Sequence, residues 1–527
     1  MKTGRVIAGY RLAWLAGAMV FLLGACASLP TDVARTPSYA LTNTAETRLG
    51  RAVEPLARQH EASLSGLVPM PDGREGFAAR VLLAQAAERT LDIQTFIWHD
   101  DATGTLLFEQ VRLAARRGVR VRLLLDDLNT SGLDSLLAML AAEPNIELRL
   151  FNPFASRNHR LLGFLGDFER LNRRMHNKSF TADNQVSVVG GRNIGDEYFD
   201  ASQDGNFIDN EVVAVGKEPR EVSALFDRFW NSVSAYPAQA ILKGVAPMSA
   251  QAFDEKVAAV RSSALAQPYL NAVLRSPVVR QMLARELPWE WTAAQLVFDD
   301  PEKVLLPPGA IETQLLPRLL DAMGKPEREL DLVSPYFVPD EKTMAKLTNL
   351  AQRGVRVRVL TNSLAATDVV PVYAGYAKFR EPLLRSGVRL YELKATAEVS
   401  RYKDKEDRDA RGGSGISARS TSALHAKNIA ADRERAFVGS FNLDPRSEHL
   451  NTEMGLVVWS PALAGAISAR LDERLPLIAY ELKLADDGEL RWFDAEGPPQ
   501  TVEPDTSFGR RLKFRLLKLL PSFDWLL

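Results

Sequence analysis

Two nine-residue stretches far apart in the chain share one pattern, His-x-Lys-x4-Asp, and no other feature restricts the fold as much. They are Met175-His176-Asn177-Lys178-Ser179-Phe180-Thr181-Ala182-Asp183 and Leu424-His425-Ala426-Lys427-Asn428-Ile429-Ala430-Ala431-Asp432. The alternating segment around each His-x-Lys predicts a β-strand, from which the imidazole and the ammonium, two positions apart, project on one face. Such a face sets a nucleophile beside an anion clamp. Each copy leads through a turn into a β-rich run (residues 186–189 and 436–438) and then a patch of small residues, Gly190-Gly191-Arg192-Asn193 and Gly439-Ser440-Phe441-Asn442. A lone histidine is more often a surface or satisfied core residue. Here the chain has six histidines, and two of them head identical patterns.

The flanks repeat as well. A helical pattern over 74–89 precedes a strand at Leu91-Asp92-Ile93-Gln94-Thr95-Phe96-Ile97-Trp98. A helix over 103–117 then stops at Gly118 and gives way to the buried run Val119-Arg120-Val121-Arg122-Leu123-Leu124-Leu125. Helix, glycine stop and apolar β-branched run are the grammar of a βαβ unit. The same order returns as Leu330-Asp331-Leu332-Val333-Ser334-Pro335-Tyr336-Phe337 and Arg353-Gly354-Val355-Arg356-Val357-Arg358-Val359-Leu360. Ile146-Glu147-Leu148-Arg149-Leu150 is matched by Val388-Arg389-Leu390-Tyr391, each upstream of its His-x-Lys. The fold class is therefore α/β, an internal duplication of two lobes.

Two histidines and two lysines converging from a duplicated scaffold suit a phosphodiester. The lysines would neutralise phosphate oxygens and the charge that builds in the pentacoordinate transition state. One neutral imidazole would attack phosphorus while the other, protonated, gives its proton to the leaving alcohol. Because histidine titrates near neutral pH, one fold can keep one copy neutral and the other charged. The scheme calls for no metal and no other cofactor. Asp183 and Asp432 complete the motifs and are counted with the catalytic set, but they fall where a turn joins two strands, which suits a structural or orienting role. Glu453, in Asn451-Thr452-Glu453-Met454, and Glu211, in Asp209-Asn210-Glu211-Val212, are the candidates to orient the imidazoles, since a carboxylate on the far ring nitrogen fixes the tautomer.

With its trailing Gly-Gly-x-Asn and Gly-Ser-x-Asn, the duplicated pattern resembles the signature of the phospholipase D superfamily over about 75–480. The resemblance implies a pair of α/β sandwich lobes with the active site at their pseudo-twofold interface, and a covalent phosphohistidine intermediate. It makes His176 the nucleophile and His425 the general acid, with Lys178 and Lys427 holding the phosphate. Asn193 and Asn442 would line the same pocket, with Ser440 beside the second. Phe96-Ile97-Trp98-His99-Asp100-Asp101, Leu124-Leu125-Asp126-Asp127-Leu128-Asn129-Thr130, Phe151-Asn152-Pro153-Phe154 and Arg170-Leu171-Asn172-Arg173-Arg174 look most like bacterial cardiolipin synthases of the C subfamily. That implies transfer of a phosphatidyl group to a headgroup hydroxyl of phosphatidylglycerol, from phosphatidylglycerol or phosphatidylethanolamine. Leu161-Leu162-Gly163-Phe164-Leu165 either meets acyl chains or membrane, or is ordinary core. Hydrolysis to phosphatidic acid would use the same residues. A nuclease, and a binding scaffold with a retired site, are the remaining alternatives; the second is opposed by the completeness of both motifs.

A formal net charge of −1 argues against a general nucleic-acid binder. The single cysteine, Cys26, leaves no intrachain disulfide or thiolate cluster. It ends a leader in which Lys2, Arg5 and Arg11 precede or enter the apolar run 12–23, a pattern that reads as a secretory signal. Leu23-Gly24-Ala25-Cys26 resembles a lipoprotein box with Cys26 the lipidated residue; an uncleaved membrane helix is the alternative. Either reading puts the protein on a cell-envelope membrane, and Ala27 in place of Asp favours the outer one. Further expectations are a leader (1–26), a Thr-, Ala- and Pro-rich tether (27–70), an N-terminal lobe (71–235), an outer helical connector (236–300), a C-terminal lobe (301–485) and a basic, leucine-rich end (486–527). Residues 395–422, charged and then glycine-rich, read as a loop that is a lid or an insertion. Residues 510–520 read as a helix that lies on an anionic membrane or packs on the body.

Overall fold

A computed structural model describes residues 28–202, 205–308, 314–396, 421–495 and 497–519. The leader with Cys26, and most of the loop expected over 395–422, lie outside the described residues. The N-terminal lobe contributes β1 (Leu64–Pro69), β2 (Thr90–Thr95), β3 (Arg120–Asp126), β4 (Ile146–Phe151), β5 (Ser179–Ala182), β6 (Val186–Gly190), β7 (Gly205–Ile208), β8 (Glu211–Gly216) and β9 (Ala235–Pro237). The C-terminal lobe follows with β10 (Glu290–Phe298), β11 (Glu329–Val333), β12 (Arg356–Asn362), β13 (Arg389–Leu393), β14 (Thr421–Leu424), β15 (Asn428–Ala431), β16 (Arg435–Gly439), β17 (Met454–Val458), β18 (Ala479–Leu484) and β19 (Leu490–Phe493).

Their pairings trace the duplication. The first lobe orders its strands β9-β4-β3-β2-β5-β6-β8-β1, and the second β18-β13-β12-β11-β15-β16-β17-β10, with β19 added at its outer edge. In each lobe three strands run parallel, β2-β3-β4 and β11-β12-β13, because helices connect them. The helix Ala102–Arg116 is capped by the Asp101 carboxylate on Gly104 N–H (2.9 Å) and stops before Gly118, whose φ of 94° no β-carbon favours. Its counterpart Glu341–Gln352 is capped by Asp340 on Thr343 N–H (2.7 Å) and stops before Gly354 at φ 88°. Even the buried ion pair is duplicated: Arg122 on β3 holds Asp92 on β2 at 2.7 Å, and Arg358 on β12 holds Asp331 on β11 at 2.7 Å.

Each lobe has its own apolar core, and a third core joins them. In it Val189, Val212 and Ala214 of the first lobe share a cluster with Ala436, Val438 and Leu456 of the second. The lobes are also continuous through hydrogen bonds, since β10 pairs with β1 over Glu290–Ala293 and with β17 over Ala294–Phe298.

Three of the expected segments pack on or enter the lobes. Residues 28–70 are bound to the first lobe rather than free of it: Arg122 and Arg149 donate to Ser38 O (2.9 Å) and Thr36 O (2.6 Å), the helix Arg48–Ala57 buries Leu49, Ala52 and Val53, and β1 joins the sheet. Their Thr-Ala-Pro composition hides this, because the partners are buried arginines supplied from far along the chain. The connector 236–300 packs Phe253, Val257, Tyr269 and Met282 into the first lobe's core and ends in the shared strand β10. The segment 486–527 begins with β19, paired to β18, and so belongs to the second lobe's sheet. Among the described residues no helix is long and apolar enough to cross a membrane.

Candidate active site

Each motif reaches the pocket by pairing with the opposite lobe. His176 N–H donates to Thr452 O (2.9 Å) and Thr452 N–H to Arg174 O (2.9 Å), a parallel bridge of Met175 with Thr452. In the other copy β14 pairs in parallel with β7, and the N–H groups of His425 and Ala426 both donate to Ile208 O (2.9 and 2.8 Å). These crossings replace the sheet ladder. The expected strand over each His-x-Lys is therefore corrected: β5 and β15 begin just past each lysine, at Ser179 and Asn428. Asp126 fixes the first crossing, accepting from Met175 N–H (2.9 Å) and from the fully buried Arg174 guanidinium (2.6 and 2.9 Å).

A carboxylate follows each crossing. Glu453, next after Thr452, accepts from Nδ1 of His176 at 2.8 Å; Asp209, next after Ile208, accepts from Nδ1 of His425 at 2.5 Å. Each histidine is thus oriented by the other lobe. Of the two glutamates expected at the imidazoles, Glu453 lies against the first histidine rather than the second, and Glu211 against neither. Glu211 is bound instead by Arg80 (2.9 Å) and Arg192 (3.2 Å). The register explains the substitution: Glu211 stands opposite Gly190 as Gly455 stands opposite Gly439, so the true counterpart of Glu453 lies two residues earlier, at Asp209.

The groups that hold each carboxylate differ between the copies. Glu453 accepts from Ser447 Oγ at 2.8 Å and from Ser440 Oγ, while its N–H donates to Asp299, itself paired with Lys303 at 2.9 Å. Gly191 stands where Ser440 does. A β-carbon there would lie 2.3 Å from Asp209 Oδ1, so only glycine lets that carboxylate close on His425.

His176, His425, Lys178 and Lys427 are all buried. Lys178 Nζ donates to His176 O at 2.6 Å, and Lys427 Nζ to His425 O. Phe96 stands edge-on to His176 with centroids 5.0 Å apart, and Lys178 Nζ lies 5.5 Å from the centre of the same ring. Tyr198 and Phe207 wall His425 at 5.1 and 5.0 Å. Burial lowers His176 well below the usual imidazole range, and the charges of Lys178, Lys427 and Arg446 add to it. Burial and Lys427 lower His425 to about 4 against the opposing pull of Asp209. Burial also brings Lys427 down to about 8, and Lys178 well below its usual range. The two carboxylates part ways. Burial raises Glu453 to about 7, whereas at Asp209 the charges of His425, Lys427 and Arg192 overcome burial and hold it at about 2. These mutual effects, with the cross-lobe hydrogen bonds, show both histidines, both lysines and both carboxylates lying close together.

Asn193 Oδ1 accepts from Ile97 N–H (3.2 Å) and its side chain also reaches the Tyr198 hydroxyl; among the described residues the buried Asn442 Oδ1 has no hydrogen-bond partner. Buried polar atoms in that condition are suited to ligand oxygens and hydroxyls. Arg446, whose guanidinium donates to Asn172 Oδ1 (2.8 Å) and Asn172 O (2.9 Å), adds its charge to the pocket. Nothing in its sequence context singles it out. Asp126 and Asp209 had a signal, each standing in a stretch already noted, but neither motif spacing nor residue type separates them from neighbouring acids.

Asp183 and Asp432 sit at turns outside this set of contacts. Asp183, at φ 53°, accepts the backbone N–H groups of Glu88 (3.1 Å), Arg89 (2.8 Å) and Thr90 (3.0 Å). Asp432, at φ 55°, does the same for Glu327 (2.9 Å), Arg328 (2.7 Å) and Glu329 (2.9 Å). In the helix Arg160–Gly166, Phe164 packs edge-on against Phe154 with centroids 5.5 Å apart.

Comparison with known proteins agrees with the duplicated site. The family described as "Cardiolipin synthase, PLD-like domain" matches residues 81–230 and 319–475, one match in each lobe. Cardiolipin synthase C of Escherichia coli is 45% identical over 91% of this chain and 100% of its own length. A cardiolipin synthase of Geobacillus kaustophilus is 26% identical over 76% of this chain and 64% of its own. Among solved structures, phosphatidylserine synthase of Haemophilus influenzae superposes with a TM-score of 0.53 at 14% identity, covering 91% of this chain and all of that one, which shows a shared fold.

Proposed function

The chain belongs to the cardiolipin synthase family with its phospholipase D-like domains, and from that premise we propose a phosphatidyltransferase that makes cardiolipin through a phosphohistidine at His176. The observation that carries the reading is the exchange of carboxylates across the lobes. With Nδ1 of each imidazole committed to Glu453 or Asp209, Nε2 is the nitrogen left for chemistry in both.

The two histidines are not equivalent. Asp209 stays anionic beside His425 and favours a proton on that ring, whereas Glu453 is driven toward neutrality and His176 meets three cations. Burial lowers both rings, but the anionic Asp209 pulls His425 back toward protonation while no such pull acts on His176, and this asymmetry supports His176 as the nucleophile and His425 as the group that carries the proton once the substrate phosphate is bound. In the first step Nε2 of His176 attacks phosphorus of the donor lipid, the P–O bond to its headgroup breaks, and His425 protonates the departing alkoxide. In the second, His425 takes the proton of a phosphatidylglycerol hydroxyl, the new P–O bond forms, and the P–N bond to His176 breaks. A phosphatidylglycerol donor releases glycerol and a phosphatidylethanolamine donor ethanolamine. Lys178 and Lys427 hold the non-bridging oxygens, with Asn193, Asn442 and Arg446 around them. Ser440 acts through Glu453. Asp183 and Asp432 hold turns.

The leader through Cys26 supports attachment to an envelope membrane, the outer one by the residue after the cysteine. Purified protein given phosphatidylglycerol and phosphatidylethanolamine in detergent tests the reaction. Cardiolipin that vanishes in both His176→Ala and His425→Ala is the expected result. Phosphatidic acid alone would mean hydrolysis, and turnover of DNA without lipid turnover would mean a nuclease.

A further inference from the structure

The last helix, Phe508–Leu519, uses its two faces differently. Inward, Phe514 is 4% exposed and stands edge-on to Tyr373 with centroids 5.3 Å apart, and Leu517 packs on the second lobe's core. Outward, Phe508, Leu512 and Leu516 recur every fourth residue in one stripe and are 71%, 46% and 57% exposed. Flanking that stripe stand Arg511, Lys513, Arg515 and Lys518, with no acidic residue between Phe508 and Leu519. A chain of net charge −1 has thus gathered four cations beside an exposed apolar ridge.

The helix is also tied to a segment whose charge reaches Lys427. Arg510 donates to Leu364 O (2.7 Å) and to Thr367 O, gripping the segment that leaves the end of β12. The next residue, Asp368, accepts from Tyr336 OH (2.8 and 2.9 Å), and its charge acts on Lys427.

We infer that Phe508–Leu519 is an interfacial element that docks on an anionic phospholipid surface, with Phe508, Leu512 and Leu516 entering the acyl boundary and the flanking arginines and lysines meeting lipid phosphates. An exposed apolar stripe flanked by four cations, with no acid on the helix, matches the surface of an anionic bilayer. Docking there brings substrate lipid to the segment that borders Lys427. The link to substrate delivery rests on the phosphatidyl-transfer reading; the docking itself does not.

The test uses the full chain with Cys26→Ser, so that Leu516→Cys can carry an environment-sensitive fluorophore, reconstituted with phosphatidylcholine vesicles with or without phosphatidylglycerol. Turnover by the unmodified protein is followed on the same vesicles. The label shifts to the blue on phosphatidylglycerol-containing vesicles, while a label at Leu274→Cys, a residue 77% exposed, does not. Adding Arg511→Gln and Arg515→Gln raises the lipid concentration needed for the shift roughly thirtyfold. A label that stays in water while lipid is turned over overturns the inference and leaves the transfer reading standing. A shift without turnover supports docking and sinks that reading. Shielding before vesicles are added means that the chain's own end covers the stripe, and shielding that grows with protein concentration means a second copy does; either overturns the inference.

Discussion

Lys427 shows how a single burial sets the working range of the site. Its ammonium is lost above about pH 8, where an exposed lysine would keep it to beyond 10, because burial disfavours the charged form. Folding has lowered this group, so the cation is present on the acid side of that value and disappears as pH rises. The profile of kcat/KM therefore has an alkaline limb near pH 8, and Lys427→Arg, charged at every accessible pH, moves that limb upward by at least about one unit at reduced overall rate. Gly191 offers a complementary test. Gly191→Ala brings a β-carbon to 2.3 Å from Asp209 Oδ1, so the Asp209–His425 bond opens. We expect kcat to fall roughly 10- to 100-fold with little change in KM, the signature of a lost positioning contact. An unchanged kcat would show that His425 needs no oriented tautomer.

At the scale of elements, the two turn aspartates carry matching loads in unequal surroundings. Asp183→Ala leaves three backbone donors unmatched at a fully buried turn and costs about 3 kcal/mol; Asp432→Ala, at a partly exposed turn, costs about 1 kcal/mol. Chemical denaturation of the two variants gives that order directly, and kcat of whatever remains folded stays close to the parent's. How the elements read in the sequence follows the range of the interactions that make them. Strands β2, β3 and β4, the glycine-terminated helices between them and their repeats were legible, because periodicity and caps are local. Asp209 was not, because its identity depends on the register of β8 against β6, and a glutamate two residues on looked more like Glu453 than the aspartate did. The extended run of 36–40 and strand β1 were missed for the same reason: their partners, Arg122, Arg149 and β8, lie far along the chain. The His-x-Lys segments alternate as a strand does, yet their backbone bonds go to the opposite lobe.

At the scale of the whole molecule, duplication has produced one site rather than two. His176 takes its carboxylate from the second lobe and His425 from the first, β10 is hydrogen-bonded to both sheets, and a common apolar core fills the seam. A lobe alone would present one histidine without its carboxylate. The symmetry is broken where chemistry needs two roles, by glutamate against aspartate and by Ser440 against Gly191. The measurement that tests this most directly is rapid acid-free quenching of the enzyme during turnover of phosphatidylglycerol, followed by peptide mass spectrometry. A phosphatidyl adduct on the peptide bearing His176, absent in His176→Ala, is the result predicted. An adduct on the His425 peptide, or full turnover with no adduct on either, would contradict it.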